Sequence, residues 1–184
     1  NLEYHQARAG KTIDVFYKKQ IDLYAIESLI PDHAQEGMFK CRVVYSDKIE
    51  NVEFIPYSFK TIKKVGVIVD NSIEYSHKYL NRDKLNTLLK DSDCEDIIII
   101  KNGFVTDSFS ANLVFESSEG FFTPSHYLLP GTKRQLLIDR GIIQEKTIAV
   151  EDIKHFEKVY FINAMIDLED NISINTDFLI HISL

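Results

Sequence analysis

The chain has 184 residues, of which 45% are hydrophobic, with 12 Phe, 9 Tyr and no Trp, so it can bury a sizeable core as one large domain or two small ones. A formal net charge of −7, with Lys and Arg dispersed among more numerous acids, argues against a nucleic-acid surface, which needs a clustered basic face. The apolar runs are too short to cross a bilayer, and Cys41 and Cys94 have neither metal-ligand nor redox spacing, which fits buried thiols in a reducing cytoplasm. The chain opens on Asn1 without a signal-like segment, as expected of a trimmed start.

Leu2, His5, Ala9 and Ile13 form one helical stripe over residues 2–13, interrupted by Gly10, and within it lies Tyr4-His5-Gln6-Ala7-Arg8. Residues 22–30 set Leu23, Ile26, Leu29 and Ile30 on one face before Pro31 and predict a second helix. Residues 38–45 alternate as a half-buried strand, 46–51 make a turn, and 52–57 return as a partner broken by Pro56 at an edge or bulge. Arg42 points away from the Phe39, Cys41 and Val43 face, either solvated or meeting a substrate carboxylate. Residues 62–69 predict a third strand, and the boundary between a small domain, 1–70, and a larger one, 71–184, falls at Asp70-Asn71-Ser72.

A loop from Tyr75 to Arg82 leads into a helix over 83–90 with Leu85, Leu88 and Leu89 inward. Ile97 to Ile100 is a purely apolar run closed by Asn102-Gly103, a strand buried on both faces and then a tight turn. Residues 104–115 predict the next strand, but polar residues crowd its middle, which marks a site. After a turn at 117–120 come Phe121-Phe122-Thr123-Pro124, then Leu129-Pro130-Gly131 opening a short amphipathic helix that Gly141 ends. Such a helix start presents unpaired N–H groups and a positive dipole end beside Lys133 and Arg134, which suits a phosphate; taken alone it is an ordinary loop-to-helix junction. Strands over 148–150 and 160–164, joined by a helix over 151–158, and a final strand over 178–182 complete the prediction.

The order G-x-V-T-[acid]-x-x-x-x-N-L from Gly103 to Leu113, T-P at Thr123-Pro124 and L-P-G-T-x-R from Leu129 to Arg134 resembles the core of the class IV, or fold-type IV, pyridoxal-phosphate enzymes. These include branched-chain and D-amino acid aminotransferases and 4-amino-4-deoxychorismate lyase. The resemblance implies an α+β, two-domain fold of the D-amino acid aminotransferase kind, with a small α/β N-terminal domain and a larger pseudo-barrel C-terminal domain. It implies pyridoxal 5'-phosphate as cofactor, no metal, a small-molecule amino substrate and a cytoplasmic homodimer. Lys78-Tyr79-Leu80-Asn81-Arg82 matches the K-x-L-N-R of the lyase branch, so Lys78 is the expected amine that bonds the cofactor and then moves protons.

By the same resemblance Asp107 is the acid that faces the ring nitrogen, where family members usually carry glutamate. Arg8, from H-x-x-R, would reach the phosphate together with Gly131, Thr132, Lys133 and Asn163 of Phe161-Ile162-Asn163-Ala164-Met165. The family reads G-[IV]-T-R where this chain has Gly131-Thr132-Lys133-Arg134, so the hydroxyl has moved by one residue and backbone donation is the part retained. Asn112 is expected to brace the strand beneath the cofactor. Arg42, His77 and His126 are pocket candidates or structural residues. The chain is short for the family, and by the resemblance an N-terminal strand and a C-terminal extension are expected to be missing from it. A lyase forming 4-aminobenzoate and pyruvate ranks first, an amino-acid aminotransferase second, and a non-catalytic binding module on the same fold third.

Overall fold

The structure is a computed structural model and describes residues 1–182. Its contacts divide the chain into two compact units, Asn1–Lys60 and Thr61–Leu184. This boundary lies ten residues before the expected one, because the strand Val65–Val69 pairs with strands of the second unit.

In the first unit, helix α1 spans Leu2–Tyr17, running a turn past the predicted end, and stops at Lys18 in the left-handed conformation (φ 53°). Gly10 is tolerated inside it. Ala9 and Ile13 are buried against Ile21, Leu23 and Ile26. Gln6 ties the next segment to α1, donating to Ile21 O at 2.6 Å and accepting from Leu23 N–H at 2.7 Å. The predicted second helix is instead a 3-10 segment, Tyr24–Leu29. With Ile26 as its single buried side chain and Pro31 just beyond, it has no apolar stripe long enough to sustain α-helix. Strands β1 (Phe39–Tyr45) and β2 (Ile49–Pro56) pair antiparallel with Val43 opposite Val52, and Pro56 ends β2. Only the Val43 and Tyr45 end of β1 packs on the α1 cluster. Cys41 is therefore exposed, Cys94 is half-buried, and the expectation of two buried thiols does not hold.

The second unit opens with β3 (Val65–Val69), followed by helix α2 (Asp83–Ser92) and strand β4 (Asp96–Lys101). Strands β5 (Phe104–Ser108), β6 (Asn112–Ser117) and β7 (Gly120–Pro124) come next, then helix α3 (Thr132–Asp139). The short strands β8 (Gln144–Lys146), β9 (Lys158–Ile162), β10 (Ser173–Asn175) and β11 (Ile180–Ile182) complete it. They form one mixed sheet in the order β10-β9-β6-β5-β4-β3-β11, with β7 on β6 and β8 on β7. β3 runs parallel to both β4 and β11, and β4 meets β5 antiparallel.

The apolar run of β4 is buried on both faces, as its composition predicts. Ile98 and Ile100 join Phe115, Phe156 and Phe161 on one side, while Ile97 and Ile99 meet Leu85 and Leu88 of α2, with Leu128 and Leu129, on the other. A third cluster sets Val114 and Ile162 against Leu137 of α3. The expected single strand 104–115 is two strands, β5 and β6, because residues 109–111 turn the chain back on itself. The expected strand at 148–150 is reduced to a bridge between Phe104 and Ala149, and a 3-10 segment, Val150–His155, replaces the short helix. β8 and β10, three residues each, have no counterpart in the sequence prediction. Among the described residues no helix is long and apolar enough to cross a membrane.

Asn81 sets the start of α2, its Oδ1 accepting Asp83 N–H at 2.8 Å. Asn81→Ala leaves that donor to water and is expected to cost about 1 kcal/mol, a fall in Tm of roughly 2–4 °C in a chain of this size, read by thermal melting.

Candidate active site

The turn between β5 and β6 is the centre of the site. Ser108 N–H donates to Ala111 O at 2.9 Å, and Ser108 Oγ accepts from Ala111 N–H at 3.0 Å, so the turn closes on its own serine. Asp107 and Asn112 then face each other as the last paired residues of the two strands. Asn112 Nδ2 donates to Asp107 Oδ1 at 2.7 Å and to Leu129 O at 3.0 Å. Asp107 Oδ2 accepts the N–H groups of Leu128 (3.0 Å) and Leu129 (2.8 Å). Burial pushes the Asp107 carboxyl up to about 6, against the pull of these donors. Its carboxylate thus holds the loop that leads into Pro130-Gly131, and of its roughly four acceptor positions three are used.

The same turn collects the other motif segments. Arg82 Nη2 donates to Phe109 O at 2.5 Å and its guanidinium lies 4.4 Å from the Phe109 ring centre, which draws the Lys78-Tyr79-Leu80-Asn81-Arg82 segment to the turn. Asn163 Nδ2 reaches Ser110 O at 3.4 Å, while its Oδ1 accepts Met165 N–H at 2.8 Å and Ile166 N–H at 3.1 Å in a turn at the end of β9. A Cβ added at Gly131 would stand 1.6 Å from Asn112 Oδ1, so the Pro-Gly corner presses directly on the Asn112 side chain.

Helix α3 starts at Thr132, which is buried. Its first intrahelical bond runs from Gln135 N–H to Gly131 O at 3.0 Å, and its N-cap, Gly131, has no side chain to cap the first turn. The Lys133 ammonium is paired with Asp167, so this side chain is already engaged within the fold. Arg134 is buried, donating to Pro124 O at 3.0 Å and Glu145 at 2.5 Å, and its guanidinium lies 4.5 Å from the Tyr127 ring centre. It pins the 124–127 loop. Lys78 lies in the loop ahead of α2, and its side chain is exposed.

Two further candidates, His126 and His77, belong to the second unit. His126 is exposed and stacked on Phe104, with ring centres 4.4 Å apart. His77 contacts the Tyr79 hydroxyl at 3.2 Å. Arg8 and Arg42 belong to the first unit: Arg8 is half-buried on α1, and Arg42 is paired with Glu53 at 2.5 Å across β1 and β2. Sequence reasoning missed Asp96. This buried acid accepts Ile97 N–H at 2.7 Å and Phe109 N–H at 3.0 Å, and burial pushes its carboxyl up to about 6. The signal was an acid abutting a wholly apolar strand, a position that only a fixed set of donors makes tolerable.

The fold and the ordered segments define a class IV scaffold, and the comparisons agree. A profile of the family described as Amino-transferase class IV matches residues 74–168, just over half of the chain. The chain belongs to that family, whose members are pyridoxal-phosphate enzymes. It is 36% identical over 169 residues to an uncharacterized protein of Haemophilus influenzae, covering 90% of each. Among solved structures it is similar to a provisionally assigned 4-amino-4-deoxychorismate lyase of Haemophilus somnus 129PT: 32% identity, TM-score 0.81, covering 90% of this chain and 89% of that one. That relative is thus of nearly the same length. A hypothetical aminotransferase of Mycobacterium tuberculosis in a form with bound pyridoxal phosphate shares the fold at 14% identity and TM-score 0.72, over 96% of this chain and 75% of its own.

The residues present fit pyridoxal phosphate. Lys78 is an exposed primary amine of the kind an aldehyde takes, the helix start after Gly131 carries backbone N–H groups of the kind a phosphate takes, and Asp107 is a buried carboxylate of the kind a ring N–H takes.

Proposed function

We propose that this chain is a pyridoxal-phosphate-dependent enzyme of the 4-amino-4-deoxychorismate lyase kind, releasing pyruvate and 4-aminobenzoate. One observation carries this reading: the segments holding Lys78, Asp107, Asn112, Gly131 and Asn163 all meet at the turn 108–112, although they are spread over more than eighty residues of chain. The K-x-L-N-R form of the lysine segment favours lyase over amino transfer, and the provisional assignment of the Haemophilus somnus relative supports it.

Pyridoxal phosphate supplies an electron sink when bound. Lys78 would be the amine that holds the cofactor and the general base that takes a proton from the amine-bearing carbon of the substrate. The backbone N–H groups at the start of α3, the Thr132 hydroxyl and Asn163 would hold the phosphate. Asp107 would face the ring nitrogen with its remaining acceptor position, while Oδ2 keeps the Leu128-Leu129 loop in place. The working form we propose is a homodimer, and a single-chain mass by light scattering would overturn that.

Titrating the purified protein with pyridoxal phosphate is expected to raise a visible absorption band that borohydride fixes covalently, and Lys78→Ala is expected to abolish the fixation. With aminodeoxychorismate and no keto-acid acceptor, 4-aminobenzoate should then accumulate. Acceptor-dependent amino transfer instead would establish an aminotransferase. The use of three Asp107 acceptor positions within the fold favours, as a second reading, a binding protein without catalysis. That reading requires the absence of both the band and the product.

A further inference from the structure

We propose that Arg82 is the positioning residue for Lys78, fixing where the amine-bearing loop stands relative to the turn 108–112. This rests on the assignment of Lys78 as the cofactor amine. Arg82 Cζ lies 4.4 Å from the Phe109 ring centre and 5.8 Å from that of Tyr75, while Nη2 donates to Phe109 O at 2.5 Å. Tyr75 is buried, and its hydroxyl donates to Tyr79 O at 2.9 Å, which closes the loop around residues 76–78. The Tyr75 and Tyr79 rings meet edge to face at 5.9 Å, and His77 packs on Tyr79 with ring centres 5.6 Å apart. A continuous stack therefore runs His77, Tyr79, Tyr75, Arg82, Phe109, and Lys78 lies between its first two members in sequence.

The far end of the stack is anchored to the sheet. Phe109 N–H is held by Asp96 Oδ1 at 3.0 Å and by Ile97 O at 3.2 Å, so the residue that Arg82 grips is fixed to buried strand β4. Arg82 Nε is buried without a hydrogen-bond partner. The residue is thus held chiefly by its flat face and by a single short bond. Planarity is the property a lysine at this position would lack. Asn81 and Asp83 on either side start α2, so a rotation of Arg82 would swing the loop about the helix end. Rigid placement of a nucleophile is worth orders of magnitude in rate, and an ångström of drift removes on the order of 100-fold.

The test mixes apo protein with pyridoxal 5'-phosphate and follows the rate of band formation, alongside thermal melting and the affinity for inorganic phosphate. Arg82→Ala is expected to melt cooperatively, to bind inorganic phosphate as the parent does, and to form the band roughly 10- to 100-fold more slowly. Arg82→Lys, which keeps a donor for Phe109 O but not the flat face, should fall between. An Arg82→Ala protein that forms the band at the parent rate overturns the proposal. If that variant does not fold, Phe109→Leu decides, since it removes the ring and keeps the carbonyl acceptor; a parent rate there overturns the proposal equally. A band that persists in Lys78→Ala would instead overturn the assignment of the amine, which is a separate outcome.

Discussion

Asp107→Ala is expected to lower the unfolding free energy by about 3–5 kcal/mol, because three donors lose their acceptor inside the protein and each orphan costs about 1–3 kcal/mol less whatever water recovers. Asp107→Asn should be nearly as harmful. Both oxygens of the side chain accept, Oδ1 from Asn112 and Oδ2 from Leu128 and Leu129 N–H. An amide supplies one acceptor and turns two N–H groups toward another donor, and Asn112 cannot flip to compensate because it also donates to Leu129 O. The charge has its own signature. Burial raises the Asp107 carboxyl from an ordinary 3.8 to about 6, and Asp96 likewise. Each proton is therefore held more tightly in the folded chain, so this contribution to stability is complete below about pH 4, declines as pH rises through about 6, and is level above. A rise of that size corresponds to about 3 kcal/mol per group. Asp47, Asp70 and Asp167, whose carboxyls are lowered, act with the opposite sign as pH falls below their ordinary range. The clean observable is thus the difference between parent and Asp107→Asn in urea unfolding from about pH 4.5 to 7.5, the span that brackets the raised carboxyl. The parent should lose stability across that window more steeply than the variant. Parallel slopes, or a loss under about 1 kcal/mol at neutral pH, would contradict this account of the carboxylate.

Asp107 also shows what a sequence can and cannot say about such a site. Its type and its place in the series V-T-D were readable, as was the burial of the Ile97 to Ile100 run, because both are local patterns. The direction of its carboxylate depends on Leu128 and Leu129, more than twenty residues on, and on a turn at 109–111 that looked like uninterrupted strand. Phe109 carries a strand-like side chain, and the Ser108 hydroxyl and backbone N–H, both bonded within the turn, reverse the chain there. Asn112 was expected to brace a strand. Its side chain also braces the loop ahead of α3, a second task that no periodicity reports. The 10-residue displacement of the unit boundary has the same origin: Val65–Val69 reads as a strand from either side, and only its pairing with β4 and β11 decides which unit owns it. Order along the chain singled out the segments that meet at the turn 108–112, whereas the long-range hydrogen bonds that join them had no local trace.

Gly131→Ala is expected to cost at least as much as the loss of Asp107, about 3 kcal/mol or more, from a single methyl group. Backbone strain is not the cause, since Gly131 sits at φ −70° and ψ 138°, open to any residue. The cause is space: the new Cβ would stand 1.6 Å from Asn112 Oδ1 and 2.8 Å from its Cγ. Asn112 cannot withdraw, because its amide is buried and bonded to both Asp107 and Leu129 O. The corner must therefore open, carrying with it the start of α3 and the donors assigned to the phosphate. A double-mutant cycle isolates this contact. Asn112→Ala alone breaks the clasp on Asp107 and Leu129 and is destabilising. In an Asn112→Ala background, however, the added methyl at position 131 occupies the space that the amide has left, and its cost should drop below about 1 kcal/mol. Urea unfolding of the four proteins reads the coupling directly, and the affinity of each for pyridoxal phosphate should fall in the order of their displacement of the corner. Additive losses in the cycle would mean that Gly131 and Asn112 are not in contact.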